Sequence, residues 1–117
     1  METENYEITF WGLDPNYYTT NIIGDIWNTV AKKVYEETGV IIMGEVYDRY
    51  YVDPSNEMLS GRNIFTIRSF RIAQENESEI EYWQAYVDLA IEVKNILGNP
   101  RAGLITQNVS LNIFENI

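Results

Sequence analysis

The order of periodic segments predicts an α+β domain of the split βαβ, or ferredoxin-like, type (βαββαβ): a four-stranded antiparallel sheet with two helices on one face. Three observations carry that prediction. Four stretches of strand character and two of helical character follow one another as strand, helix, strand, strand, helix, strand. Both helical stretches run into a glycine, Gly39 and Gly98, where a C-terminal cap belongs. The closing stretch, Leu104 to Ile117, alternates with the period of a half-buried strand, Ile105, Val109, Leu111 and Ile113 on one parity and Thr106, Asn108, Ser110 and Asn112 on the other. Two right-handed crossovers then place the first and third strands at the sheet centre and leave the other face to solvent or a partner.

The elements follow in order. Tyr6 to Trp11 alternates with Tyr6, Ile8 and Phe10 on one side and reads as a strand, stopped by Gly12 and the Asp14-Pro15-Asn16 turn signal. After Thr19 or Thr20 as N-cap, Ile23, Ile26, Trp27, Val30, Val34 and Tyr35 recur at helical spacing as far as Thr38. Val40 to Val52 reads as a long second strand bent or bulged at Gly44. A loop over 54–62 leads to a third strand, Asn63 to Ala73, with Arg68 and Arg71 on opposite faces by parity and each expected to pair within the chain. Acids from Glu75 to Glu81 open the second helix, Ser78 and Glu81 fit a capping box, and Ile80, Trp83, Val87, Ala90, Ile91 and Leu97 form its apolar face. In the last strand Val109, Leu111 and Ile113 are expected to point into the core.

Composition limits the function classes. The 117 residues are read as one domain, 1–117, with 45% hydrophobic residues, enough for a core despite a formal charge of -10. Eight Lys and Arg against eighteen Asp and Glu argue against direct nucleic-acid binding, which draws on clustered cations. Without cysteine or histidine, no thiolate site, disulfide or imidazole base exists. The acidic opening is unlike a secretory signal and no run of about 18 apolar residues occurs, so an intracellular protein without membrane contact is expected.

Two constellations stand out. Tyr47, Arg49, Tyr50 and Tyr51 are of the amphipathic type that makes contact surfaces, or that packs across strands, and the flat, uncharged Asn108, Ser110 and Asn112 offer a second candidate interface. Glu75, Glu77, Glu79, Glu81, Asp88 and Glu92 are either a solvated helix face or an acidic surface that imitates phosphates. No phosphate loop, dinucleotide turn or nucleophile elbow occurs; carboxylate pairs such as Asp48 with Asp53 are the only acid-base candidates. No catalytic residue, cofactor or metal is expected.

From Asn63 onward a strand ending Phe-Arg-Ile-Ala, the acidic lead-in Gln-Glu-Asn-Glu-Ser-Glu-Ile, an amphipathic helix, and Ala102-Gly103-Leu104 before a closing strand resemble the second half of phage tail-terminator and tail-completion proteins. The resemblance implies a non-enzymatic α+β subunit that assembles through protein contacts into a homo-oligomer, in that family a ring, made in the host cytoplasm and carried in the virion. The alternative from the charge is an acidic inhibitor that mimics nucleic acid and blocks a basic protein surface. A carboxylate-based hydrolase or cation binder is the third reading.

Overall fold

The computed structural model describes residues 1–57, 63–72 and 78–115. They form β1 (Glu2–Phe10), α1 (Thr20–Thr38), β2 (Glu45–Tyr50), β3 (Asn63–Phe70), α2 (Glu79–Ile96) and β4 (Ala102–Ser110). The strands lie in the order β2-β3-β1-β4, each pair antiparallel. This is the expected split βαβ arrangement, with β1 and β3 central.

Local chemistry sets the helix ends. The Thr19 hydroxyl accepts from the Ile22 N–H at 3.2 Å, and Gly39, at φ 75°, donates its N–H to the Tyr35 carbonyl. Ser78 caps α2 by accepting from the Glu81 N–H at 3.2 Å. Tyr6, Ile8 and Phe10 of β1 meet Phe65 and Ile67 of β3 and, with Ile23, Trp27, Val30 and Val34 of α1, build the core.

Five expectations change. The buried face of α2 is Tyr82, Ala85, Tyr86, Leu89 and Val93, while Ile80 (70% exposed), Trp83 and Ile91 face outward. The helix carries two stripes at helical spacing. The one with two tyrosines goes inside because their rings fill the space over Tyr6, at centroid distances of 5.2 and 4.8 Å.

In β4 the register puts Leu104 opposite Ile8, Thr106 opposite Tyr6 and Asn108 opposite Glu4, so the even residues lie on the helix side and Ile105 and Val109 on the other. The strand stops at Ser110, so Leu111 and Ile113 lie beyond it, Ile113 exposed. As an edge strand exposed from Leu104 to Asn108, β4 has neither parity in the core; pairing with β1, not burial, sets its register.

The expected long second strand shortens to Glu45–Tyr50 because Val40 and Ile42 turn into the core before it. Gly44 marks a close approach, not a bulge: a Cβ there would lie 2.7 Å from Trp27 Nε1 and 3.0 Å from Ile67 Cγ2. The third strand ends at Phe70, although the Arg71 N–H still donates to the Glu4 carbonyl; Ala73 lies outside the described residues.

Two glycine substitutions test this packing by urea denaturation. Gly44→Ala overpacks the contact with Trp27 and Ile67 and should cost about 1–3 kcal/mol. Gly24→Ala, inside α1 with only Val46 Cγ2 at 4.0 Å from the new methyl, should stabilise by about 0.5–1 kcal/mol.

Candidate functional site

Pairing assigns every strand residue to one of two faces. On the side away from the helices, one cross-strand row reads Glu45, Arg68, Glu7, Ile105 and the next reads Tyr47, Thr66, Thr9, Gly103. On the other side of the charged row lie Phe70, Asn5 and Gln107. Among the described residues no helix covers this face, and Ile105 on it is 57% exposed.

Its centre is a closed network. Arg68 Nη2 donates to Glu45 Oε2 at 3.2 Å and to the Tyr47 hydroxyl at 3.0 Å, while that hydroxyl donates to Glu45 Oε2 at 2.9 Å. The hydrogen bonds to Glu45 raise both the Tyr47 phenol and the Arg68 guanidinium above their usual pKa. Three guanidinium-to-ring contacts join in: Arg49 lies 5.0 Å from the Tyr47 ring centre, and Arg68 lies 5.5 Å from Tyr47 and 5.1 Å from Phe70. Arg68 and Glu45 are about a third exposed, so a ligand can reach both charges.

The edges of this face are shaped by aromatic packing. Trp11 lies against Gly103, where a Cβ would sit 3.0 Å from the indole, and the Arg101 guanidinium stands 5.6 Å from the indole centre. Tyr51 meets Trp11 edge-on at 6.0 Å. Thr3, Asn5, Ile64 and Thr66 are buried although no helix among the described residues lies over them, and all but Ile64 are polar. Three buried atoms on this side have no hydrogen-bond partner among the described residues: Asn5 Oδ1, Arg68 Nε and Trp11 Nε1. Orphaned groups of this kind are rare in native structures and need a reason.

The other face holds a cleft of about 310 Å³ between the start of α2 and β4, lined by Glu4, Tyr6, Glu79, Trp83, Thr106, Gln107 and Asn108. Its inner carboxylate is sealed. Glu4 takes Arg71 Nε at 2.6 Å and Nη2 at 2.9 Å, both side chains only 10% exposed, and the Thr3 hydroxyl donates to the Arg71 carbonyl. Burial, and then the Glu4 charge, push the Tyr6 phenol up to about 12; burial raises Tyr82 and Tyr86 as well. The cleft is therefore the outer side of a structural junction.

The predicted candidates divide between these places. Tyr47 and Arg49 lie on the uncovered face, with Tyr51 at its rim; Tyr50 has the opposite parity and is exposed. Asn108 and Ser110 belong to the helix-side row of β4, and Asn112, past the strand, accepts from the N-terminal ammonium at 3.3 Å, so the two proposed interfaces are not one surface. Glu79 lines the cleft, Glu92 bridges to Lys33 at 3.1 Å, and Glu81 and Asp88 lie elsewhere on α2; Glu75 and Glu77 fall outside the described residues. Arg68 and Arg71 do pair within the chain, as expected. Sequence reasoning missed Asn5, Glu7 and Glu45, whose only signal is a strand register that joins them to Arg68. Among the described residues no group of three His, Cys, Asp or Glu is placed to hold a metal ion, and no helix is long and apolar enough to cross a membrane.

A family model described as SAM lyase matches residues 1–115. No curated protein matches the chain. Among solved structures, a phage SAM lyase in complex with S-methyl-5'-thioadenosine is similar at a TM-score of 0.55 and 12% identity, over 97% of this chain and 93% of that one. The phage SAM lyase in its apo state gives a TM-score of 0.57, also at 12% identity, over 97% and 94%. A Burkholderia multivorans amidase of the hydantoinase/carbamoylase family reaches only 0.38 at 15% identity, over 93% of this chain and 27% of that one, too remote to bear on this chain.

These matches overturn the tail-terminator resemblance, and with it the non-enzymatic assembly subunit and the virion placement: the family model that fits is that of an enzyme. The acidic-inhibitor alternative falls for the same reason. The expectation failed because it equated catalysis with known nucleophile, base and phosphate motifs.

The two charge pairs should differ in denaturant unfolding. Arg71→Ala leaves a buried carboxylate uncompensated and should cost about 3–5 kcal/mol. Glu45→Gln, on the partly exposed pair with Arg68, should cost no more than about 1 kcal/mol.

Proposed function

The chain belongs to the SAM lyase family, and on that premise we propose that it splits S-adenosylmethionine without water, releasing S-methyl-5'-thioadenosine, on the uncovered face of the sheet. The family match over residues 1–115 is the observation that carries the reading. The molecule bound by the similar phage enzyme agrees with it, since S-methyl-5'-thioadenosine is what remains of S-adenosylmethionine once the bond from sulfur to Cγ is broken.

The chemistry needs few protein groups. Sulfonium sulfur leaves as a neutral thioether, and the substrate's own α-carboxylate can reach Cγ to close a five-membered ring. The O–Cγ bond forms, the S–Cγ bond breaks and its electron pair stays on sulfur, giving the thioether and homoserine lactone. No proton moves, so a chain without histidine lacks nothing that this step requires. Opposite charges merge in the transition state, so a site less polar than water favours it, and holding the carboxylate near Cγ removes an entropic barrier.

The uncovered face suits this substrate better than the cleft. The amino-acid end is a zwitterion, and here a cation and an anion, Arg68 and Glu45, are both reachable. The rings of Tyr47 and Phe70 already accept guanidinium cations and can accept a sulfonium. In the cleft, Glu4 and Arg71 are paired with each other and only 10% exposed, out of a substrate's reach. A face with no wall of its own also supports a homo-oligomer, in which a second copy closes the site. The phage source of the similar structures supports a place of action in the host cytoplasm.

Incubation of the purified chain with S-adenosylmethionine, resolved by chromatography, should yield S-methyl-5'-thioadenosine with homoserine lactone; an alkene amino acid instead would mean elimination with a carboxylate base. Arg68→Ala should lower kcat/KM by about ten- to a hundredfold, the worth of a hydrogen bond to a charged group, whereas Trp83→Ala in the cleft should leave turnover unchanged. Untouched substrate, or the reverse pattern of variants, would sink the reading. Light scattering should give a whole multiple of the monomer mass; a strict monomer at high concentration would remove the second copy from the site.

A further inference from the structure

We infer that Asn5 and Arg68 together read the amino-acid end of the substrate, the Asn5 carboxamide oxygen accepting from the α-ammonium and Arg68 Nε–H donating to the α-carboxylate; this rests on the lyase reading above. Asn5 is the least expected residue on its face. It is polar, only 6% exposed, and lies on the sheet side that no helix covers, with Oδ1 unpartnered among the described residues. A buried acceptor left in that state costs stability, and such groups concentrate where a ligand uses them.

The complementary donor stands in the neighbouring row. Nη2 of Arg68 is engaged with Glu45 and Tyr47, while Nε has no partner among the described residues. By register Arg68 belongs to the neighbouring row, opposite Glu7, but its guanidinium lies 5.1 Å from the ring centre of Phe70, the residue directly opposite Asn5. The guanidinium thus spans from Glu45 and Tyr47 on one side to the ring opposite Asn5 on the other.

One unpartnered acceptor and one unpartnered cationic donor, both buried and in neighbouring rows of the same face, match a group that offers a cationic donor and an anionic acceptor two bonds apart. An α-amino acid is such a group. The edge of adenine also pairs a donor with an acceptor, but it is neutral and gains less from a guanidinium than a carboxylate does. Glu7 and Glu45, flanking Arg68 on both sides, add the negative potential that suits the ammonium. An aspartate at position 5 would bring its own charge to the guanidinium; asparagine leaves Arg68 available.

Steady-state kinetics with two ligands separate this contact from any other. Asn5→Leu keeps the side-chain volume, and its KM for S-adenosylmethionine should rise about tenfold or more, the worth of one hydrogen bond to a charged group. Inhibition by the product S-methyl-5'-thioadenosine, which lacks the amino-acid end, should stay as in the wild type. Arg68→Lys, which keeps the charge facing Glu45 but removes the Nε donor, should show the same selective loss, and it serves if the Asn5 variant does not fold. Equal weakening of substrate and product would place the contact on the adenosine and overturn the inference, as would unchanged KM in both variants. A wild type that makes no S-methyl-5'-thioadenosine overturns the lyase reading itself, and the inference with it.

Discussion

The register of β1 between its two neighbours is the constraint on which the rest of the domain depends. Nine residues of β1 pair with β4 and six with β3, and a shift of one residue would exchange the two faces. Tyr6, Ile8 and Phe10 would leave the core, and Asn5, Glu7 and Thr9 would enter it. The hydrophobic gain of the core therefore fixes, as a by-product, which polar residues share the uncovered face. Once β1 is placed, Arg68 stands opposite Glu7, and Glu45 follows through β3. The interior and the proposed reaction surface are two consequences of one alignment.

The fold was legible because its signals are local. Thr19, Gly39 and Ser78 end helices by chemistry that reaches only a few residues, and the alternation of Tyr6, Ile8 and Phe10 is visible without a partner strand. What could not be read was any choice that depends on competing surfaces. The second helix offers an aliphatic and a tyrosine stripe, and only the shape of the space over Tyr6 selects between them. On the last strand, alternation suggests burial, yet an edge strand exposed on both sides obeys pairing alone.

The site was half visible for a similar reason. Tyr47 and Arg49 stood out as neighbours in sequence, whereas Asn5, Glu45 and Arg68 come from three strands and meet only through the sheet. Reactivity was harder still to read. The proposed step uses the substrate's own carboxylate and leaving group, so it leaves no nucleophile, base or metal signature for a motif to reveal. Charge was the visible trace: a net charge of -10 favours approach of the proposed substrate, which is net positive, over retention of a neutral thioether product.

The packing of Trp11 onto Gly103 reaches beyond the edge it shapes. The chain has three tryptophans, and each occupies a different compartment: Trp27 in the core, Trp83 at the cleft and Trp11 against the uncovered sheet face. Indole emission follows its immediate surroundings, so variants that keep one tryptophan at a time turn a single molecule into three separate optical reporters. Unfolding, occupation of the cleft and events on the sheet face can then be followed independently, with no dye attached and no group introduced that the chain does not already carry.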